Sequence, residues 1–501
     1  MIKKPKQIAA LASLIVVAVF VATTASTAQE GHSARAVEAP DATSDGIFAE
    51  FYALEYSVSF AEAQRRLDRM ADLQQVLAEI REFESERLAG WGIEHREGFG
   101  GWVSLTGAEP AGLDAVSVAA LHEDVNIQVG AKHRLSELLE AQRSLSKALF
   151  AARHPVSGDG AVGVSDAAEP STPGSVGAAR SPGVGSALPE VVTFLDTDMT
   201  NNAIAVGIDP ALASPIGPLG SISELTFDQG AEVVADLIKP EIQVAFTIED
   251  GRDVGDTSGS VLKTKLFNGG VAFGGCTSGF TVQSIPNPPT YEIFYGVLTA
   301  GHCGTRGPAE TISRWMNGVR LPFVYGYAGP SADAQWHRIP LPKQGTYEVQ
   351  NEFVCRNAGG YPNPFCKVTG KIARTGIRPA TRYIQGDFVC HTGKESGMSC
   401  GEVISVTFQP MVGEPCFAAS GREVPCEDTF VRMVGTYLRG CDGDSGGPVF
   451  RNGTAYGIFK GGNNADDCLS GSKRVFFSAI AEVEAFLGVQ VLTSSVTLRP
   501  K

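Results

Sequence analysis

At 501 residues the chain is too long for one compact core, which implies two or three domains. Hydrophobic content of 43% and charged content of 19% describe a globular protein. A formal charge of -14 argues against a nucleic-acid partner, which needs a clustered basic face, and against attraction to an anionic membrane.

The first residues, MIKKPKQ, are positively charged; Ile8 to Ala22 carries no charge, and the small residues TTASTA follow. That pattern predicts a secretory signal peptide over 1–28, cleaved after Ala28. The apolar run is shorter than the about 20 residues a membrane span needs, so no stable membrane anchor is expected. Further on, Ser59 followed by Glu62 forms a capping box. Phe60, Ala63, Leu67, Met70, Leu73, Leu77 and Ile80 then recur at helical spacing, with Gly90 standing past the end. GWVSLTG, AVSVAAL and VNIQVGA read as short strands, and a second amphipathic helix is predicted from about His133 to Arg153. Gly, Ser, Pro and Ala without periodicity over about 154–189 predict a flexible linker. Strand-like stretches resume at VVTFLD, NAIAVGID and EIQVAFTI. After about Asp250, Gly, Pro and Cys punctuate β-branched and aromatic runs, which is the pattern of an all-β sandwich or barrel. One helix, near Ser478 to Leu487, closes the chain.

All ten cysteines lie from Cys276 onward. In sequence order they form neighbouring couples: Cys276 and Cys303, Cys355 and Cys366, Cys390 and Cys400, Cys416 and Cys426, Cys441 and Cys468. An even count behind a signal peptide reads as a disulfide framework, each bridge contributing about 2–4 kcal/mol. No C-x-x-C pair or spaced His couple suggests zinc. Connectivity does not follow from the spacing.

The segment RGCDGDSGGPVF, 439–450, sets Ser445 between an aspartate and two glycines in an apolar stretch. Gly costs backbone entropy and Asp is expensive to bury, so packing does not account for the cluster. Upstream, YGVLTAGHCG places His302 at the end of a strand-like run, and YAGPSADAQWHRIP offers Asp333 at the edge of another. Together the three make chemical sense. A serine hydroxyl needs a base to take its proton, and imidazole titrates near neutrality. A carboxylate behind it fixes the tautomer and stabilises the imidazolium. A tight turn at Gly443-Asp444-Ser445 can aim the amides of Gly443 and Ser445 at one developing oxyanion.

TAGHC and GDSGGP resemble the two signature segments of chymotrypsin-like serine proteases, and the order His302, Asp333, Ser445 is theirs. VCHTGKESGMSCGEV and FFSAIAEVEAFLGV are similar to the cysteine-bounded hairpin and closing helix of the secreted bacterial branch, typified by streptogrisins and alpha-lytic protease. The resemblance covers roughly residues 260 to 490. It implies an all-β fold of two six-stranded barrels, His302 and Asp333 from the first and Ser445 from the second. It also implies the bridges Cys276–Cys303, Cys390–Cys400 and Cys441–Cys468, with no counterpart for the other two couples. Of the other aspartates between Cys303 and Ser445, Asp387 stands only three residues before Cys390 and the rest follow the cysteine-bounded hairpin, whereas the family carries its acid well ahead of it. Replacing Asp333 with Asn is expected to leave folding intact.

The chain also departs from that family. Where the bacterial branch pairs an arginine with the aspartate before the nucleophile, this sequence has His391, so Asp444 is expected to bond His391 or another cation such as Arg439. Arg439 stands six residues before Ser445, a position that forms the base of the primary pocket in animal relatives. A cation there favours an acidic substrate side chain; a side chain turned to solvent does not. Lys460, Gly461 and Gly462 align with the strand that pairs with substrate, and Lys460 replaces a serine that touches the triad aspartate in relatives. The cysteine-free segment 29–250, α+β with its linker, looks like a propeptide, an intramolecular chaperone and inhibitor of the protease domain at 251–501. The expected product is a secreted serine endopeptidase acting on polypeptides, without metal or cofactor and monomeric after maturation. The alternative is a catalytically silent protease-fold binding or adhesive surface protein.

Overall fold

Ser59 starts a helix as its spacing predicts: its hydroxyl accepts the Glu62 N–H at 3.2 Å, and α2 runs from Phe60 to Phe83. The computed structural model describes residues 44–96, 98–120, 124–154, 192–208, 244–248, 266–286, 292–304, 313–343, 345–356, 362–367, 383–411, 415–451, 453–463 and 473–500. The signal-peptide segment and the linker beyond His154 lie outside them. Ala63, Leu67, Met70, Leu73, Leu77 and Ile80 are buried along one side of α2, whereas Phe60 is exposed. Gly90 does not follow the helix end as expected. Glu84 caps α2, and Gly90 lies inside the strand β1, Leu88–Glu94, where a side chain would collide with Met199.

β1 pairs antiparallel with β2, Gly100–Thr106, and β2 pairs parallel with β3, Val125–Ala131. A parallel pair needs a crossover, and AVSVAAL supplies it as the helix α3, Leu113–Ala120, rather than as the expected strand. The topology overrides the alternating valines: Ala115 is buried and Val116 exposed. The helix α4, Leu135–Arg153, follows its predicted span. A further helix, α1 at Ser44–Tyr56, precedes them all.

The cysteine-bearing half forms two β lobes. In the second, the strands Phe388–Gly393, Pro448–Arg451, Thr454–Asn463, Lys473–Ala479, Phe430–Gly435 and Gly397–Pro410 pair in that order. Phe388–Gly393 then pairs back to Gly397–Pro410, so the six-stranded barrel closes. The first lobe packs a five-stranded sheet and a smaller sheet around Phe267, Val297, Leu321, Ile339 and Val349. The closing helix α5, Ile480–Leu487, leads into Val489–Val491, which returns to pair with Thr281–Ser284 of the first lobe.

The two halves of the chain share one core. α1 lays Phe48 edge-on to Phe450 at 5.6 Å and Tyr52 against Phe388 at 5.1 Å. Gln142 of α4 donates to the Thr407 carbonyl at 2.8 Å, and Arg143 pairs with Asp428 at 2.8 Å. β4, Val192–Asp198, pairs with β5, Ala203–Ile208, which pairs with β6, Val244–Ile248. β4 also adds to the barrel strand Gly397–Pro410 through Leu195 opposite Gln409 and Phe194 opposite Pro410.

Tyr56 of α1 donates to Glu402 of the barrel at 2.7 Å. Burial pushes that carboxyl up from 4.5 to about 7, against the Tyr56 bond that favours its charge. The folded chain thus holds this proton more tightly than the unfolded chain. Its contribution is greatest below pH 4.5 and is lost as the pH rises to about 7. The Glu402→Gln chain is expected to gain thermal stability relative to the natural chain at pH 8 but not at pH 4.5. Melting curves at the two pH values check this.

Candidate active site

The strand Tyr295–Thr299 ends in a tight 3₁₀ turn, Gly301–Cys303. A Cβ on Gly301 would overlap the Tyr327 carbonyl, so only glycine lets the turn press against the strand Phe323–Ala328. That close approach aims His302 at Asp333, the first residue of the strand Asp333–Arg338. The His302 N–H donates to Asp333 Oδ1 at 2.9 Å, and Nδ1 donates to Oδ2 at 2.6 Å. With Nδ1 engaged as donor, Nε2 is left as the basic nitrogen. Asp333 is fully buried, and its N–H donates to Ser478 Oγ at 2.9 Å. Burial opposes the charge, yet Lys460 and His302 together hold the Asp333 carboxyl far below the usual carboxylate range.

Ser445 sits on a turn between Gly443, at φ +94°, and Gly446, at φ +87°, conformations that disfavour any side chain. The turn is pinned from several sides. Asp444 N–H donates to the Cys441 carbonyl, Gly447 N–H to the Asp444 carbonyl and Gly446 N–H to the Phe459 carbonyl. Thr277 of the first lobe fastens it across the cleft: its hydroxyl donates to the Gly443 carbonyl at 2.7 Å and its N–H to the Ser445 carbonyl at 2.9 Å. The Ser445 hydroxyl donates to the Lys460 carbonyl at 3.3 Å. His302 and Asp333 therefore come from one lobe and Ser445 from the other, with Thr277 joining them.

The expected bond between Asp444 and His391 is absent. Asp444 is fully buried and accepts three backbone N–H groups instead: Glu395 at 2.9 Å, Ser396 at 3.2 Å and Cys441 at 2.8 Å. Three amides already stabilise a carboxylate, so no cation is required. His391 stacks on Phe459 at 4.7 Å, and its Nε2 reaches the Arg439 carbonyl at 2.5 Å and the Ser399 hydroxyl at 3.0 Å. Burial lowers the His391 pKa, against the pull of Asp444. Arg439 is held by its backbone, its N–H donating to Ser399 Oγ at 3.0 Å, and its side chain is half-buried.

Lys460, which replaces the serine of relatives, does contact Asp333. Its Nζ lies 3.0 Å from Asp333 Oδ2, with both side chains buried. The cause is local: Phe459 pairs with Phe477 and Gly461 with Phe476, which leaves Lys460 as the extra residue of a β-bulge. Gly461 and Gly462 face Phe476 and Val475 of the neighbouring strand. Two residues that hold the site, Thr277 and Ser478, carry no signal in a single sequence, since hydroxyls at strand ends are ordinary.

Bridges join Cys276 to Cys303, Cys390 to Cys400 and Cys416 to Cys426. The last is a couple for which the family resemblance supplied no counterpart. Cys441 is also disulfide-bonded, while Cys468 and the side chains of Cys355 and Cys366 lie outside the described residues. The sulfurs of Cys276 and Cys303 lie beside His302, but their mutual bond removes them as metal ligands.

Two β lobes, with a His–Asp pair on one and a serine turn on the other, define the chymotrypsin-like serine protease fold. The recognised resemblance is to its bacterial branch. No family model matches the chain. It is 25% identical over 212 residues to Serine protease 1 of Rarobacter faecitabidus, which covers 42% of this chain and 33% of that protein. The match thus spans about a third of the relative's length. Among solved structures, Thermobifida fusca Protease A is 25% identical and covers 46% of this chain and 100% of its own, with a TM-score of 0.32. Nocardiopsis Protease is 19% identical and covers 45% of this chain and 98% of its own, also with a TM-score of 0.32. No helix among the described residues is long and apolar enough to cross a membrane.

Proposed function

We propose that the chain is a secreted serine endopeptidase made as a zymogen, with Ser445 as nucleophile, His302 as general base and Asp333 orienting the imidazole. The observation that carries this reading is the 2.6 Å bond from His302 Nδ1 to Asp333 Oδ2, which makes Nε2 the basic nitrogen of the ring. Ser445 Oγ attacks the scissile carbonyl as its proton passes to His302 Nε2. The amides of Gly443 and Ser445 receive the oxyanion, as the glycine-flanked turn permits. His302 then protonates the departing amine, leaving an acyl ester on Ser445; water, activated by the same imidazole, releases the acid.

Residues 29–250 act as the propeptide, removed when the protease domain at 251–501 matures. A core shared with the second barrel supports their part in its folding. Arg439, Gly461 and Gly462 belong to the substrate-binding wall.

The second reading, a catalytically silent binding protein, draws on the Ser445 hydroxyl, which donates to the Lys460 carbonyl. At 3.3 Å that bond is long for O–H···O, so releasing the hydroxyl costs little. A fluorophosphonate separates the two readings. The natural chain is expected to take up one label on the Ser445 peptide, identified by mass spectrometry, and the Ser445→Ala chain none. Absence of labelling in the natural chain after secretion would favour the silent protein. N-terminal sequencing of the secreted material tests processing.

A further inference from the structure

The Asp333 carboxylate has two partners with cationic potential. His302 comes from the turn Gly301–Cys303, and Lys460 from the bulge in Thr454–Asn463. Lys460 Nζ and His302 Nδ1 converge on the same oxygen, Oδ2, at 3.0 and 2.6 Å. Lys460 is 1% exposed and lies 5.7 Å from the Phe430 ring, so water does little to screen its charge. Its backbone carbonyl meanwhile accepts from Ser445 Oγ. One residue therefore touches both ends of the site.

The other elements around Asp333 bring Tyr325 and Tyr327 on Phe323–Ala328, Tyr295 on Tyr295–Thr299, and Glu482 and Glu484 on α5. Its own strand adds His337 and Arg338. Burial pushes Tyr327 up to about 12, beyond the working range. After burial itself, Lys460 and His302 act most strongly on Asp333.

We propose that Lys460 is a positioning residue that shares the Asp333 carboxylate with His302 and sets the pH at which His302 becomes free to accept the Ser445 proton. With only a carboxylate behind it, a protonated imidazole gains a full counter-charge. Here that counter-charge is already committed to an ammonium, so protonating His302 places two cations on one carboxylate. The imidazole consequently stays neutral, and able to act as base, to lower pH. The ammonium also fixes the carboxylate, with Oδ1 on the His302 N–H and Oδ2 on the ring. This inference rests on the hydrolase reading above for its consequence, but not for its measurement.

The direct test is NMR titration of the histidine ring carbons in the full Ser445→Ala chain, with His302 assigned by substitution. His302 is expected to titrate below the free value of about 6.5. In a Lys460→Met chain on the same background its midpoint should rise by about one to two pH units, and Lys460→Arg should restore most of the shift. In parallel, the acid limb of fluorophosphonate labelling in chains that keep Ser445 should move upward with Lys460→Met alone. A His302 midpoint above 6.5 in the parent, or one unchanged in folded Lys460→Met, overturns the proposal. If Lys460→Met fails to fold, the parent midpoint decides. A natural chain that takes no label sinks the hydrolase reading instead, while the titration still gives its own answer.

Discussion

Replacing Asp333 with Asn is expected to lower peptide turnover by about 10^4-fold. An amide cannot hold His302 in the tautomer that leaves Nε2 basic, nor offset an imidazolium. The structure adds a second effect, which revises the expectation that folding stays intact. Asp333 is also the counter-ion of buried Lys460, at 3.0 Å. Removing the carboxylate takes this counter-charge from a buried ammonium, at a cost of about 3–5 kcal/mol. The Asn variant should thus be both inactive and less stable in urea. Adding Lys460→Met should recover most of the stability and none of the turnover. Paired kinetics and unfolding curves check both halves. Full activity in Asp333→Asn would remove Asp333 from the mechanism, and unchanged stability would show that Lys460 has another charge partner.

Truncating Tyr52 to Ala should destabilise the full chain by about 3–5 kcal/mol. Tyr52 is fully buried in α1, packed tilted or edge-on among Tyr56, His95 and Phe388, with its hydroxyl 2.7 Å from His95 Nδ1. The change removes a ring from the seam between the halves and leaves a buried imidazole nitrogen without its partner. Tyr52→Phe removes only the hydroxyl and should cost about 1 kcal/mol. Denaturant unfolding measures both. If the first half guides folding of the barrel, the yield of labelled, secreted protein should fall in the same order. A Tyr52→Ala chain as stable as the natural one would show that α1 does not hold the halves together.

The candidate catalytic groups were legible in the sequence because the chemistry proposed for them demands particular residue types in particular neighbourhoods. His302 stands in TAGHC, Ser445 in GDSGGP and Asp333 at a strand edge, and the fold brings His302 against Asp333. Helix α2 was legible for a different reason, since its cap and apolar spacing are local signals. What escaped depends on partners far away in the chain. AVSVAAL alternates like a strand, yet crosses over between parallel strands as a helix. Asp444 was expected to seek a side-chain cation, because no spacing reveals that three amides would converge on it. Lys460 stood out only as an anomaly. Its approach to Asp333 depends on a one-residue bulge, and a bulge leaves no mark in composition.

The long strand Gly397–Pro410 outruns the barrel it belongs to, and its far end is covered by Leu195 and Phe194 of β4. Maturation that carries away residues 29–250 would bare that end as an open sheet edge, the kind of surface on which stray strands accrete. Pro410 has no N–H to offer such a visitor. The knot of Phe408, Cys416 and Cys426 sits beside it. A trimmed enzyme would thus keep a blunted rim where its former neighbour had been stitched, and its resistance to clumping would depend on that proline and that small bridged loop.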